Sequence, residues 1–136
     1  MGDKRAAHAA SCARRIALNI EREGGTMWDA VQAIHRHCGV SLLRAQRLAR
    51  GLTLVEVADQ VSAILERGGV HGGVAHQSVS RWENQADLPS HHFLDALCRL
   101  YQTRTDRLGY GADYTPEGER VPVSPPTTAN GSRGDA

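Results

Sequence analysis

The segments Thr53-Leu-Val-Glu-Val-Ala-Asp-Gln-Val-Ser-Ala-Ile-Leu-Glu-Arg67 and His76-Gln-Ser-Val-Ser-Arg-Trp-Glu-Asn84 hold the pattern from which the architecture is argued. In the first, Thr53 and Glu56 have capping-box spacing: the threonine hydroxyl accepts from an orphaned helix N–H while the glutamate reaches back to the cap. Val55, Ala58, Val61, Ile64 and Leu65 follow at helical spacing, and Arg67-Gly68-Gly69 ends the helix. In the second, Val79 and Trp82 are the two apolar residues and stand three apart, so they face inward together. His76, Gln77, Ser80 and Arg81 are then left on the outward side.

Working outward, Ser41 precedes Leu42, Leu43, Ala45, Leu48 and Ala49, an amphipathic helix stopped by Gly51. Asn84 to Pro89 reads as a turn. Phe93, Leu94, Leu97, Cys98, Leu100 and Tyr101 predict another helix, and Asp106-Arg-Leu108 a last turn. Upstream, Thr26 and Asp29 have cap spacing before Met27, Val31, Ile34 and Cys38, which line one helical face. A helix from about Ala6 to Arg22, ended by Gly24-Gly25, precedes them. No period-two alternation of useful length occurs, so the fold class is all-α. The chain divides into a helical extension (1–39), a compact multi-helix domain (40–110) and a tail (111–136). The tail, with Thr115-Pro116, Pro122-Val-Ser-Pro-Pro126 and a Thr/Asn/Gly/Ser end, is expected to be disordered, because it offers too little apolar surface to offset ordering entropy. Its Arg133-Gly134-Asp135 triplet reads as chance.

Composition narrows the function. The 136 residues suit one domain with flanks, and 40% apolar with 4% aromatic content means an aliphatic and alanine core. No apolar run approaches bilayer length. The N-terminus has no secretory h-region, no hydrophobic stretch before Ala9-Ala-Ser-Cys12 to make a lipoprotein box, and Ala6 where a myristoylation signal wants Ser or Thr. A soluble, cytoplasmic protein is expected, with no membrane partner. The net charge is only +1, so nucleic-acid binding must come from a local patch. Fifteen arginines against the single Lys4, with abundant Ala and Gly, point to a high-GC and therefore bacterial coding sequence. Three widely spaced cysteines argue against a disulfide framework. His35 and Cys38 share a helix face, but His37 points away and no CxxC partner exists, so no metal and no cofactor are expected. No motif arranges Ser, His and Asp for catalysis, and the chain is read as a non-enzyme. Arg22-Glu23-Gly24 can be encoded by a purine run resembling a ribosome-binding site before Met27. On that reading residues 1–26 are not native to the chain made in the cell and pack poorly.

A short helix on a narrow apolar stripe, with hydrogen-bonding side chains outward, suits a major groove about 12 Å wide. Three segments in order then resemble the Cro/phage-repressor type (XRE family) helix-turn-helix domain. These are Leu43-Arg-Ala-Gln-Arg-Leu-Ala-Arg-Gly-Leu-Thr-Leu-Val-Glu-Val-Ala58, Gln77-Ser-Val-Ser-Arg-Trp-Glu-Asn84, and Pro89 followed by Phe93-Leu-Asp-Ala-Leu-Cys-Arg-Leu-Tyr101. The resemblance implies a lambda-repressor-like helix-turn-helix fold over about Leu42–Leu108, with 76–84 as recognition helix. It implies a structural ion pair between Arg47 and Glu83, base contacts from His76, Gln77, Ser80 and Arg81, and phosphate contacts from Thr53 and Asn84. Ser90 and His91 join the backbone set as the start of the following helix. The sequence departs from the family in the Gly68–Gly73 insertion between the two motif helices, in Ala86 where glycine is common, and in Asp87, an acid where a base often meets phosphate. Trp82 reads as core, and Arg44, Arg50 and Arg67 as surface charges with backbone contact as the alternative. The expected function is a sequence-specific transcriptional regulator on double-stranded DNA. Family members usually bind as dimers, which makes Met27–Cys38 a candidate dimer surface, its alternative being to cover the core of the same subunit. The other function reading is a helix-turn-helix protein-interaction module, antitoxin-like or an anti-regulator. A metal or redox sensor built on Cys38 and Cys98 is a third.

Overall fold

Helix starts follow the capping residues. A computed structural model describes residues 2–110, with side chains from residue 9 onward. Its helices are α1 (Gly2–Arg22), α2 (Met27–Cys38), α3 (Leu42–Ala49), α4 (Leu54–Arg67), α5 (His76–Glu83) and α6 (His91–Tyr101), closed by a 3-10 turn at Thr105–Leu108. Among the described residues there is no strand. The expected tail at 111–136 lies outside the described residues.

Thr26 and Thr53 open α2 and α4 with reciprocal capping boxes: each hydroxyl accepts from the N–H three residues on, and Asp29 or Glu56 accepts from the cap N–H. Ser41 caps α3 by accepting from Arg44 N–H. Two expected stripes are displaced. Val55 is 51% exposed, and Val57 joins Ala58, Val61 and Leu65 inside, because Val55 lies off the line those four share on the helix. Met27, next to the α1–α2 turn, is 45% exposed, and Ala30 joins Val31 and Ile34 in the core.

The interior has two clusters that meet at α3. Leu43 faces the larger one, with Val57, Val61, Leu65, Val79, Trp82, Leu94, Leu97, Tyr101 and Leu108. Ala45 and Leu48 face the other, with Ala13, Val31 and Ile34, against which Ile16 and Trp28 also pack. The stripe of α2 is therefore buried within the subunit, and Val31 and Ile34 are not free to form a dimer surface. Nor do residues 1–26 pack poorly from Ala13 on: Ala13 is fully buried against α2 and α3. The hairpin closes at Gly25, where a Cβ would stand 2.6 Å from Ile20 Cγ2, so the turn requires glycine.

Polar side chains tie the layers. Gln46, buried on α3, donates to Arg107 O at 2.9 Å. Arg50 is not the surface charge expected of it. Its guanidinium donates to Gln46 O, Gln46 Oε1 and Tyr101 O and lies 4.9 Å from the Tyr101 ring centre, pinning α3 to the end of α6. The insertion between α4 and α5 is anchored by Ser62, whose hydroxyl accepts from Val74 N–H at 2.8 Å, while Val70 and Val74 pack against the larger cluster.

The strongest tie is buried. Arg47 Nε lies 2.7 Å from Glu83 Oε2 and Nη2 lies 3.0 Å from Oε1, while Nη1 donates to Leu52 O. Removing one partner leaves an uncompensated buried charge. Arg47→Ala is therefore expected to destabilise the fold by about 3–5 kcal/mol, and the double change Arg47→Met with Glu83→Leu to recover most of it. Urea unfolding of the two variants beside the parent checks this.

Candidate nucleic-acid interface

Helix α5 stands on Val79, fully buried, and Trp82, whose ring centre lies 5.2 Å from that of Phe93. Trp82 is a core residue. The opposite flank presents His76, Gln77, Arg81 and Asn84 to solvent, with Ser80 half-buried between them. These positions recur at helical spacing on one face. Ala75 precedes the helix in extended conformation and gives the first amides of α5 no side-chain cap.

The expected backbone-contact residues fall in two places. Thr53 and Asn84 line one groove of about 610 Å³ together with Ser80, which was expected as a base contact, and with Arg44 and Arg14 of α1. Thr53 Oγ1 accepts from Glu56 N–H, which leaves its own O–H free to donate. Asn84 Nδ2 is 3.5 Å from Ser80 Oγ. Ser90 and His91 are exposed at the start of α6, where Ser90 makes no side-chain cap. They are not among the residues lining that groove. Arg14 was absent from the candidate contacts, and nothing local in the sequence marks it; only the packing of α1 on α3 brings it there.

Arg81 departs from the simple picture of a free outward cation. Its Nε lies 2.5 Å from Asp87 Oδ2 and its Nη2 3.3 Å from Oδ1, with both side chains about half exposed. The turn that returns Asp87 runs through Gln85, a non-glycine residue in the left-handed region (φ 62°), followed by Ala86 N–H donating to Arg81 O. Asp87, expected as a bare acid repelling DNA, is thus neutralised within the protein. The hydrogen bond from Arg81 holds the Asp87 carboxyl below its ordinary pKa and raises that of the guanidinium.

Neither Cys38 nor Cys98 is an activated nucleophile. Burial first, then the neighbouring Cys12 thiol, pushes Cys38 up; burial, with Asp95 and Asp106, pushes Cys98 up to about 11. Cys38 thus neighbours Cys12. Among the described residues no group of three or more His, Cys, Asp or Glu side chains could hold a metal.

Two helices joined by a connection, the second short, polar-flanked and held by a buried ion pair to the helix before them, define a helix-turn-helix protein. A family model described as a helix-turn-helix domain matches residues 40–108, half of the chain. The chain belongs to the helix-turn-helix domain family, a class that binds DNA. This agrees with the resemblance to the Cro/phage-repressor type. Neither the search of curated proteins nor that of solved structures gives a match. No helix among the described residues is long and apolar enough to cross a membrane.

The Arg81–Asp87 clasp has a definite pH dependence. A lowered carboxylate pKa contributes stability above the ordinary value of 3.8, and that contribution is lost as pH falls through the lowered one. Both partners therefore stay charged throughout the neutral range. An NMR titration of the Asp87 side-chain carbon is expected to give a midpoint below 3.8, moving back toward it in Arg81→Ala.

Proposed function

We propose that the chain is a sequence-specific DNA-binding transcription regulator of the XRE type that inserts α5 into the major groove. The observation that carries this reading is the exposed flank of His76, Gln77 and Arg81 on a short helix whose inner side is locked by Val79, Trp82 and the Arg47–Glu83 pair. Gln77 is suited to bidentate bonding with adenine and Arg81 to guanine, with His76 and Ser80 beside them. Thr53 and Asn84 on one side, and Ser90 and His91 at the start of α6, supply donors for phosphates that set register. Binding as a homodimer on two half-sites, by a bacterial cytoplasmic protein, completes the reading.

The clasp shapes how Arg81 acts. A guanidinium paired with Asp87 through Nε and one Nη2 hydrogen keeps Nη1 and the second Nη2 hydrogen, so its outer edge can still fork onto a base while Asp87 orients it. That same neutralised pair favours the second reading, in which the outward flank of α5 meets a protein partner and the fold serves as an interaction module.

Selection of bound sequences from a randomised duplex pool, followed by a salt series on the winner, separates the two. A regulator enriches a motif and binds it with affinity that falls steeply with salt. An interaction module enriches none. On the enriched site Gln77→Ala is expected to lose about 1–3 kcal/mol and to relax preference at one base pair. Asp87→Asn is expected to relax preference at the base pair read by Arg81, because the guanidinium loses the carboxylate that orients its fork.

A further inference from the structure

The groove beside α5 contains charge that the domain itself does not neutralise. One wall is Ala10 and Arg14 of α1, one helical turn apart; the other carries Thr53, Ser80 and Asn84. Glu83 and Arg47 also line it, but they satisfy each other. The remaining charges are Arg14 and Arg44, both positive. The Arg14 guanidinium lies over the backbone at Gly51, where φ is +70° and a Cβ would stand 3.0 Å from Nη1. Arg14 has no hydrogen-bond or ion-pair partner among the described residues. Arg44 Nε is buried beside the groove without a hydrogen-bond partner.

Each free polar group here can donate: two guanidiniums, the hydroxyls of Thr53 and Ser80, and the Asn84 amide, and the unneutralised charge is positive. The complementary ligand is anionic and rich in acceptors. A phosphodiester meets both conditions. With α5 in the major groove, the elements flanking it lie over the sugar–phosphate ridge, and the groove opens beside the last turn of α5.

We propose that Arg14, with Arg44, forms a phosphate site continuous with Thr53 and Asn84, so that the N-terminal extension, outside the matched domain, is part of the DNA interface. This rests on the reading of α5 as a major-groove helix. The fork of Arg14 lies against Gly51 at the lip of the groove, and α1 is held by Ala13 in the second cluster. The extension therefore carries its cation on a packed helix rather than on a loose arm.

The test uses the full chain and fluorescein-labelled duplex DNA, one probe of mixed sequence and one carrying the selected motif, with anisotropy read over a potassium chloride series. Arg14→Ala is expected to weaken binding about fivefold on both probes and to lower the slope of log K against log salt by about one. Arg14→Lys keeps most of the slope, Arg14→Glu loses more than Arg14→Ala, and none shifts the melting temperature, because Arg14 is exposed. Wild-type slope in Arg14→Ala overturns the proposal, as does tighter binding, which would mean that α1 obstructs the groove. A loss confined to the motif probe overturns it too, since it makes Arg14 a base contact. Failure of the parent chain to bind either duplex removes the regulator reading itself; normal parent binding with an indifferent Arg14→Ala removes only the role of α1.

Discussion

Arg47 ends three separate pieces of chain. Its fork closes on both oxygens of Glu83, and its remaining nitrogen takes the carbonyl of Leu52, just before the Thr53 cap. One guanidinium on α3 thereby sets the end of α5 and the entrance to α4. Burying two charges is expensive, and a bidentate pair with a further carbonyl offsets that expense only in one geometry. The penalty for any other arrangement gives the pair its directing effect. Trp82 and Val79 supply the adhesion of α5; the ion pair fixes its roll, and the roll decides which side chains face outward.

The second ion pair of α5 has the opposite character. Arg81 and Asp87 are half exposed, so water competes for both and their union adds little to stability. It holds a cation in a chosen place without locking it there. The caps show the same division. α2, α3 and α4 have a side-chain oxygen on an amide of their first turn, whereas α5 and α6 do not. Amides left unbonded at a helix start are favourable places for an acceptor from outside.

Much of the architecture was legible because it depends on neighbours in sequence. Thr26 and Thr53 each stand three residues before a carboxylate, and a capping box needs nothing more. Val79 and Trp82 are the only apolar residues of their helix, so its inward side was settled as well. The errors arose where two faces were nearly equivalent. Val55 and Val57 are the same residue type, and local spacing alone did not separate them; the placement of α4 against α5 and α6 did. Arg50 was misread because the partners that draw it onto α6, Tyr101 O and the Tyr101 ring, stand 51 residues away in sequence. Met27 satisfies the helical stripe of α2 yet sits at the turn, beyond the reach of the cluster formed by Val31 and Ile34.

Helix content, caps and the polar flank of α5 came from interactions spanning one helical turn, whose partners the order of residues already specifies. The grouping of charges did not. Asp87 reaches Arg81 only because the chain reverses through a left-handed Gln85, and Arg14 reaches the groove of Thr53 and Asn84 only because Ala13 lets α1 pack closely on α3. Such contacts depend on how helices pack, and packing is a property of the whole set of buried surfaces rather than of any one segment.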